Sequence, residues 1–241
     1  MCLIVFAWKL VPGIPLVAAA NRDEFYERPS APATWWSDEA HIYAGRDLRD
    51  GGTWMGVTRE GRFAAITNIR APSERRTGVP SRGELVAGYL SGIASPQQYV
   101  EALAPRAAAY NGFNLLVGNR EELVWYSNGS PDDPRNGRPL APGVYGLSNG
   151  ALDTPWPKLV RTKAQFSSLL CQGAPEDAYF EMLADTSLAA DSRLPKTGVP
   201  LEWERLLSAV CIESPEYGTR SSTLVRLPDS GVPVLRERQL R

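Results

Sequence analysis

The second residue of the chain is a cysteine, and its position could do chemistry directly. An initiator methionine before so small a residue is normally removed, which would leave Cys2 with a free α-amino group. That amine titrates near about 7.7–8.0, so part of it is neutral and can accept a proton near pH 7. Thiol and base would then belong to one residue, an activated nucleophile that needs no histidine. The alternative is a small buried residue that opens a strand.

The polar stretch from Asn21 to Glu24 is the second candidate group. Pro12-Gly13 is a turn signal between two apolar runs, so a hairpin would return this stretch to the side of Cys2. Arg22 and Asp23 could orient the α-amine there and favour the thiolate, because a neighbouring cation lowers the pKa of a thiol. The alternative is a charged strand end that faces solvent.

Three more polar residues, Asn68, Asn149 and Arg220, end strand-like runs or lie beside them. An amide can donate to an oxyanion, and an arginine can hold a substrate carboxylate or a catalytic group. Turn formation is the alternative for the two asparagines, because asparagine is common in turns. His41 lies in a polar loop, where we expect an exposed side chain rather than a haem or metal ligand.

The composition argues against several classes of function. The chain of 241 residues has one histidine and three cysteines, and Cys2, Cys171 and Cys211 show no metal-ligand spacing. We therefore expect no metal site and no required cofactor, and a serine–histidine triad is disfavoured. The net charge is −1, from 26 basic and 27 acidic residues, so we expect no nucleic-acid partner. The arginine-containing stretch from Arg70 to Arg82 is predicted to form a solvated loop.

The first 20 residues are apolar enough to suggest a signal peptide, but the details oppose it. No positive charge precedes the apolar run, Lys9 interrupts it, and Pro12 and Pro15 break it. The same interruptions argue against a membrane-spanning helix. We therefore predict a cytoplasmic protein without membrane insertion, and the odd number of scattered cysteines fits a reducing compartment.

The order of elements is strands, two helices, strands, two helices and strands, which predicts a single α+β domain over residues 1–241. The continuously apolar run from Leu3 to Trp8 predicts a strand covered on both faces. Capping boxes at Ser81 and Ser95 predict the starts of the first two helices. The predicted strands cover residues 2–9, 16–21, 51–57, 62–68, 113–117, 123–126, 143–148, 207–212, 221–227 and 232–235, and the predicted helices cover residues 85–90, 96–108, 159–170 and 175–183.

Short motifs throughout the chain together resemble the NRDE family, which in animals is the transport and Golgi organisation family. The motifs run in order from the first residue to the last fifth of the sequence, so the resemblance covers essentially the whole protein. They are Met1-Cys2-Leu3-Ile4, Ala20-Asn21-Arg22-Asp23-Glu24-Phe25-Tyr26 with Arg28-Pro29, Gly51-Gly52-Thr53-Trp54-Met55-Gly56, Thr67-Asn68, Arg82-Gly83-Glu84-Leu85, Tyr110-Asn111-Gly112-Phe113-Asn114-Leu115, Tyr145-Gly146-Leu147-Ser148-Asn149 with Thr154-Pro155-Trp156, and Tyr217-Gly218-Thr219-Arg220.

The resemblance implies an N-terminal-nucleophile (Ntn) hydrolase-like fold, a four-layer αββα sandwich with two mainly antiparallel sheets between helix layers. The chain is also similar to the wider group of cysteine Ntn amidases, which includes bile-salt hydrolases and penicillin V acylases. By that similarity Cys2 would be the nucleophile, Asp23 would hold its amine and Arg22 would flank the thiol. Those amidases space the arginine and the aspartate further apart.

The same similarity assigns roles to residues elsewhere in the chain. Asn149 would donate to the oxyanion, with Asn68 as a second donor, and Arg220 would close the site. Asn21, Asn68 and Trp54 are the residues expected to bind substrate.

Two functions remain open at this point. The first is an enzyme that cleaves a non-peptide C–N amide or thioester bond of a small acyl substrate. The second is a non-catalytic carrier that binds haem or an acyl lipid in the same cleft, in keeping with the family's links to haem trafficking and lipid homeostasis.

Overall fold

The computed structural model describes residues 3–241, so the predicted nucleophile Cys2 lies outside the described residues. Two antiparallel sheets and five α-helices make up the described fold. The strands are β1 (Leu3–Val11), β2 (Ile14–Phe25), β3 (Ser30–Trp35), β4 (Ile42–Asp47), β5 (Met55–Thr58), β6 (Phe63–Asn68), β7 (Phe113–Gly118), β8 (Leu123–Ser127), β9 (Arg138–Pro139), β10 (Gly143–Leu147), β11 (Tyr217–Leu227) and β12 (Val234–Gln239). The helices are α1 (Gly83–Ser91), α2 (Pro96–Leu103), α3 (Pro157–Gln172), α4 (Glu176–Leu183) and α5 (Leu201–Leu206).

The two sheets stack face to face with helices outside them. One sheet has five strands in the order β10-β1-β2-β11-β12, and the other has seven in the order β3-β4-β5-β6-β7-β8-β9. Helices α1 and α2 contribute to the apolar core on the outer face of the larger sheet, and α3 and α4 to the core on the outer face of the smaller one. This is the predicted αββα sandwich with antiparallel sheets between helix layers.

Strand β1 is covered on both faces, as its unbroken apolar run predicts. Ile4, Phe6 and Trp8 point into the core between the two sheets. Leu3 and Val5 point the other way, into the core that α3 and α4 cover. Side chains alternate along a strand, so a strand covered on both faces buries successive side chains, and these are apolar unless polar partners lie nearby.

The predicted helix starts are confirmed in one case and wrong in the other. At α2 the Ser95 side chain accepts a hydrogen bond from the N–H of Gln98, and the Gln98 side chain accepts one from the N–H of Ser95. At α1 the N-cap is Arg82 and no side chain caps the helix. The start of α1 instead packs so closely on Gly52 that a Cβ there would lie 2.5 Å from the carbonyl carbon of Gly83.

The predicted strand over residues 207–212 is wrong. This segment follows α5 as an irregular turn, although Ala209, Val210 and Ile212 are buried. Its backbone hydrogen bonds do not form the regular ladder of a strand. The N–H of Cys211, for example, donates to the carbonyl of Asp185. A short apolar run indicates burial, and its periodicity alone does not distinguish a strand from another buried segment.

The five helices are short, and α3 is the longest of those described, with 16 residues. Within residues 3–241 no helix is both long enough and apolar enough to cross a membrane.

Candidate active site

The polar stretch Asn21–Glu24 lies within β2, which continues to Phe25 rather than ending at residue 21. Pairing on both sides extends the strand. Leu3 of β1 lies opposite Asn21, while Arg22 and Asp23 lie opposite Ser221 and Thr219 of β11. The hairpin therefore brings the first described residue of the chain beside the polar stretch, as predicted.

Asn21, predicted to bind substrate, is fully buried, and its side-chain amide forms hydrogen bonds with other parts of the fold. Its Nδ2 donates to the carbonyl oxygens of Leu183 and Val210, both at 2.8 Å. Its Oδ1 accepts a hydrogen bond of 2.7 Å from the hydroxyl of Ser222. Both N–H donors of the amide are used, so the structure places Asn21 between the sheet and its helix layer, away from the cavity described below.

Asp23 lies on the same face of β2 and contacts the neighbouring strand. Its Oδ1 accepts a hydrogen bond of 2.6 Å from the hydroxyl of Thr219, whose oxygen accepts one of 2.8 Å from the N–H of Ile212. The residue is 3% exposed and belongs to the wall of a cavity described below. This chain of hydrogen bonds directs the Thr219 proton onto Asp23 and fixes the orientation of the carboxylate.

Arg22 points to the opposite face, into the space between the sheets. Its guanidinium lies over the ring of Trp54 at 4.0 Å and donates a weak hydrogen bond of 3.4 Å to the Ser30 hydroxyl. No carboxylate within residues 3–241 is close enough to form an ion pair with it. Burial lowers the pKa of Arg22, with the carboxylate of Glu24 opposing this effect at longer range. An arginine stays protonated regardless, so the result is a buried cation without an ion-pair partner.

Trp54, also predicted to bind substrate, forms the floor beneath Arg22. Its ring is almost completely buried in the core between the sheets. Gly45 gives it room, since a Cβ at that position would lie 2.3 Å from the ring. The structure therefore places Trp54 where it supports the cation by a stacking contact.

Arg220 lies at an irregularity in the pairing of β11 with β2, between Thr219 and Ser221. Such a bulge re-aims a side chain, and here the guanidinium donates to the backbone carbonyls of Phe25 and Arg28. Arg220 thus holds the turn that follows β2. It lies beside the cavity wall rather than among the residues that line it.

The two predicted oxyanion donors contact each other. Asn149 Nδ2 donates to the backbone carbonyl of Asn68 at 2.8 Å, and the Asn149 carbonyl accepts from the N–H of Arg70 at 2.8 Å. Asn68 lines the cavity, and within residues 3–241 its side-chain amide makes no hydrogen bond. The structure therefore brings Asn68 and Asn149 together at the edge of the cavity to which Asp23 also belongs.

The cavity that Asp23 and Asn68 line has a volume of about 570 Å³. Five arginines line it, together with the carboxylates of Asp23, Glu24, Glu27 and Glu74. The arginines are Arg28, Arg49, Arg70, Arg75 and Arg82. We call this space the arginine cavity.

Sequence reasoning missed most of these arginines. The stretch from Arg70 to Arg82 is largely a loop in which Arg75 and Arg76 are exposed, as predicted, but the Arg70 side chain is only 9% exposed. Arg82 is partly buried and donates to the carbonyl of Gly112 at 3.0 Å. The density of arginines without alternating carboxylates in this stretch was the available signal.

A buried ion pair fixes one wall of the arginine cavity to α5. Arg70 Nη1 donates to Glu204 Oε2 at 2.6 Å, and the Glu204 side chain is 4% exposed. Thr197 donates to Oε1 of the same carboxylate from its N–H, at 3.0 Å, and from its hydroxyl, at 2.5 Å. The Arg70 guanidinium also lies over the ring of Trp156 at 4.7 Å. This network holds Arg70 and Glu204, which are 134 positions apart in the sequence, in a fixed arrangement.

The assembled groups suit acyl chemistry. A buried cation favours a nearby anion such as a thiolate, a fixed carboxylate can hold an amine, and an amide N–H can stabilise an oxyanion. Within residues 3–241 there is no group of three or more histidine, cysteine, aspartate or glutamate side chains placed to bind a metal ion.

Comparisons with known proteins agree with the fold and the motifs. The sequence profile of the family described as Transport and Golgi organisation 2 matches residues 1–241. The Transport and Golgi organization protein 2 homolog of Bos taurus is 33% identical over 261 residues, covering 100% of this chain and 93% of that protein. The Drosophila melanogaster Transport and Golgi organization protein 2 is 29% identical over 256 residues, covering 93% of this chain and 87% of that protein.

A solved structure shows the same architecture. The Caenorhabditis elegans N-acylethanolamine-hydrolyzing acid amidase ortholog matches with a TM-score of 0.53 and 11% identity, over 95% of this chain and 94% of that one. At this identity the likeness shows the fold alone, two antiparallel sheets stacked between helix layers.

We predict that Asn21→Ala destabilises the protein by about 2–4 kcal/mol, because the carbonyls of Leu183 and Val210 and the Ser222 hydroxyl would lose buried partners. Urea denaturation followed by circular dichroism would measure the change. Asn68→Ala is the matched control, since its amide faces the cavity, and we expect a change below about 0.5 kcal/mol there. Equal stabilities for the two variants would contradict the structural role of Asn21.

We predict that Glu204→Gln lowers the free energy of unfolding by about 3 kcal/mol, because it leaves the mostly buried Arg70 without its counter-charge. Glu202→Gln, two residues earlier on the exposed side of α5, should change it by less than about 0.5 kcal/mol. The same denaturation experiment measures both. If Glu204→Gln lowers the free energy of unfolding no more than Glu202→Gln does, the ion pair does not stabilise the packing of α5.

Proposed function

The chain belongs to the Transport and Golgi organisation 2 family, and we propose that it acts as an Ntn-type cysteine hydrolase on a non-peptide C–N amide or thioester bond of a small acyl substrate. The observation that carries this proposal is Arg22. It is a buried cation without an ion-pair partner in the described chain, and it lies one residue beyond the pair formed by Asn21 and Leu3. Cys2 precedes Leu3 in the sequence.

In the proposed reaction the α-amine of Cys2 accepts the thiol proton, and the sulfur forms a bond to the acyl carbon. The electron pair of the carbonyl moves onto oxygen, where an amide N–H stabilises it. Collapse of this intermediate breaks the C–N or C–S bond, and the leaving group takes the proton from the α-ammonium. Water then attacks the thioester with the amine as base, which releases a carboxylic acid and restores the thiol.

The described residues supply the supporting roles. Arg22 favours the thiolate, and Asp23, already oriented by Thr219, holds the α-amine. Asn149 has two amide N–H groups, of which one is used by the carbonyl of Asn68, so the second is the oxyanion donor. Asn68 adds a second amide from the cavity wall.

A non-catalytic carrier of haem or an acyl lipid is the second candidate, and the arginine cavity supports it. Its lining has five guanidinium groups against four carboxylates, although Arg28 and Arg70 already form ion pairs, and the remaining arginines could bind the carboxylates or phosphates of such ligands. Among residues 3–241 the cavity lining includes no histidine, methionine or cysteine. A haem in this cavity would therefore be held through its carboxylates, and among the described lining residues Tyr217 is of a type that can ligate haem iron.

The proposal includes a cytoplasmic location, which the odd number of scattered cysteines supports. Cell fractionation of the untagged protein would test it, and recovery in a secretory or membrane fraction would contradict it.

We predict that the purified untagged protein lacks Met1 and that Cys2→Ala lowers turnover at least about 1000-fold, because the nucleophile is lost. Intact mass would report methionine removal, and a panel of simple acyl amides and thioesters would report turnover. Cys171→Ser is the matched control, since Cys171 is an exposed cysteine on α3. It should retain full activity.

Turnover that persists in Cys2→Ala would contradict the proposal that Cys2 is the nucleophile of the enzyme. Ligand binding that is equal in wild type and Cys2→Ala, with no turnover by either protein, would favour the carrier.

We predict that Arg22→Met raises the pKa of the Cys2 thiol by about 1–3 units, because the variant removes the neighbouring cation. Alkylation at limiting reagent, followed by mass spectrometry across pH 5–9, would measure this pKa, and Arg22→Lys should preserve most of the effect. Burial raises the pKa of the Cys211 thiol, so that residue is a slow internal reference. An unchanged alkylation profile in Arg22→Met would show that the Arg22 guanidinium does not lower the pKa of the Cys2 thiol.

A further inference from the structure

A second, apolar depression lies against the arginine cavity. Its volume is about 350 Å³, and its apolar walls are Phe25, Trp203, Leu206, Pro215 and Tyr217. We call it the aromatic groove.

The aromatic groove is built from rings that pack on one another yet stay open to solvent. Tyr217 is the central ring, with Phe25 at 5.1 Å and Trp203 at 5.6 Å, both edge-on. Phe25 is 41% exposed and Trp203 is 38% exposed. Adjacent large aromatic side chains that remain this exposed mark a surface that binds an apolar group.

The groove and the cavity share two walls. Phe25 and Tyr217 line both spaces, so these two side chains form the ridge between them. A ligand of modest length can therefore occupy both spaces at once by crossing this ridge.

The charges of the two spaces set the direction of such a ligand. The cavity lining has five arginines against four carboxylates, a net charge of +1, whereas the charged residues of the groove are Glu202 and Glu216, a net charge of −2. An anionic head group is attracted to arginine and repelled by carboxylates, so it belongs in the cavity. The groove is left for the apolar end.

We propose that the aromatic groove is a subsite for the straight apolar chain of an amphiphilic acyl ligand whose polar head lies in the arginine cavity. This inference rests on the proposed function, because it assigns the substrate class of the same site.

Helix α5 couples the subsite to the cavity. Trp203 and Glu204 are neighbours on this helix, and Glu204 is held by Arg70 in the cavity wall. The ion pair thus fixes the position from which Trp203 reaches the groove. A protein partner is a poorer occupant, since five apolar side chains offer far less than the roughly 800 Å² that each partner buries in a stable interface.

The test measures binding in Cys2→Ala, so that no substrate turns over. The probes are N-acylglycines from butanoyl to decanoyl, which combine a carboxylate, a secondary amide and a chain of variable length. Isothermal titration calorimetry gives the dissociation constant of each. We expect affinity to rise by about two- to fourfold per methylene group, as expected for burial of an alkyl chain.

The decisive comparison adds Trp203→Ser to Cys2→Ala. We expect the dependence on chain length to fall to less than about 1.5-fold per methylene, with the affinity for the butanoyl probe nearly unchanged. Trp203→Phe should restore most of the dependence. Leu188→Ser, which changes a residue 58% exposed outside the groove lining, is the matched control and should keep the full dependence. If Trp203→Ser does not fold, Leu206→Ala, at a residue that lines the groove but not the cavity, provides the same comparison.

Equal chain-length dependence with and without Trp203 would overturn the subsite, as would the absence of binding by every probe. A Trp203-dependent dimer in sedimentation velocity, with no dependence on chain length, would assign the groove to a second copy and would also overturn it.

The proposed function fails in a different way. Binding that depends on chain length and on Trp203, together with no turnover by the protein that retains Cys2, would support the subsite and contradict the proposed hydrolase activity. Cys2-dependent turnover without any preference for chain length would do the reverse.

Discussion

The site depends on one constraint, which is that β2 carries polar residues through the middle of a sheet. Neighbouring side chains of a strand point to opposite faces, so Asn21 and Asp23 enter the helix-covered layer while Arg22 enters the layer between the sheets. Buried polar groups need partners, and these partners lie far away in the sequence, 162 residues for the Leu183 carbonyl and 196 for the Thr219 hydroxyl. The polar stretch therefore connects the N-terminal hairpin to α4 and to β11 by hydrogen bonds.

Arg22 is the exception to this pattern of matched partners. Its neighbours satisfy it by stacking and by a weak hydrogen bond, and the nearby cation Arg220 lowers its pKa further after burial has done so. A buried charge without an ion-pair partner reduces stability, and such groups concentrate at functional sites because they act on a charge that arrives later. In the proposed hydrolase the charge that Arg22 acts on is the Cys2 thiolate.

Much of the fold could be predicted from the sequence because the deciding signals were local. The unbroken apolar run of β1, the Ser95 capping box and the turn at Pro12-Gly13 each act within a few residues. The errors came from long-range contacts. β2 extends past residue 21 because β11 pairs with it, and Arg70 is buried because Glu204 meets it from 134 residues away. No local pattern contains either partner. The predicted strand ends drew attention to Asp23 and Asn68 in the cavity wall, and the family resemblance assigned their roles.

The short helix α5 shows how binding in one space affects the other. Six residues are too few for a stable helix without tertiary contacts, so α5 depends on the packing and ion pairing of its side chains. An anion that displaced Glu204 from Arg70 would weaken this hold and loosen the neighbouring Trp203. By linkage, an apolar chain that orders Trp203 would then lower the affinity of the cavity for such an anion by the same factor. An amphiphilic ligand that fills both spaces must therefore bind without breaking the ion pair between Arg70 and Glu204.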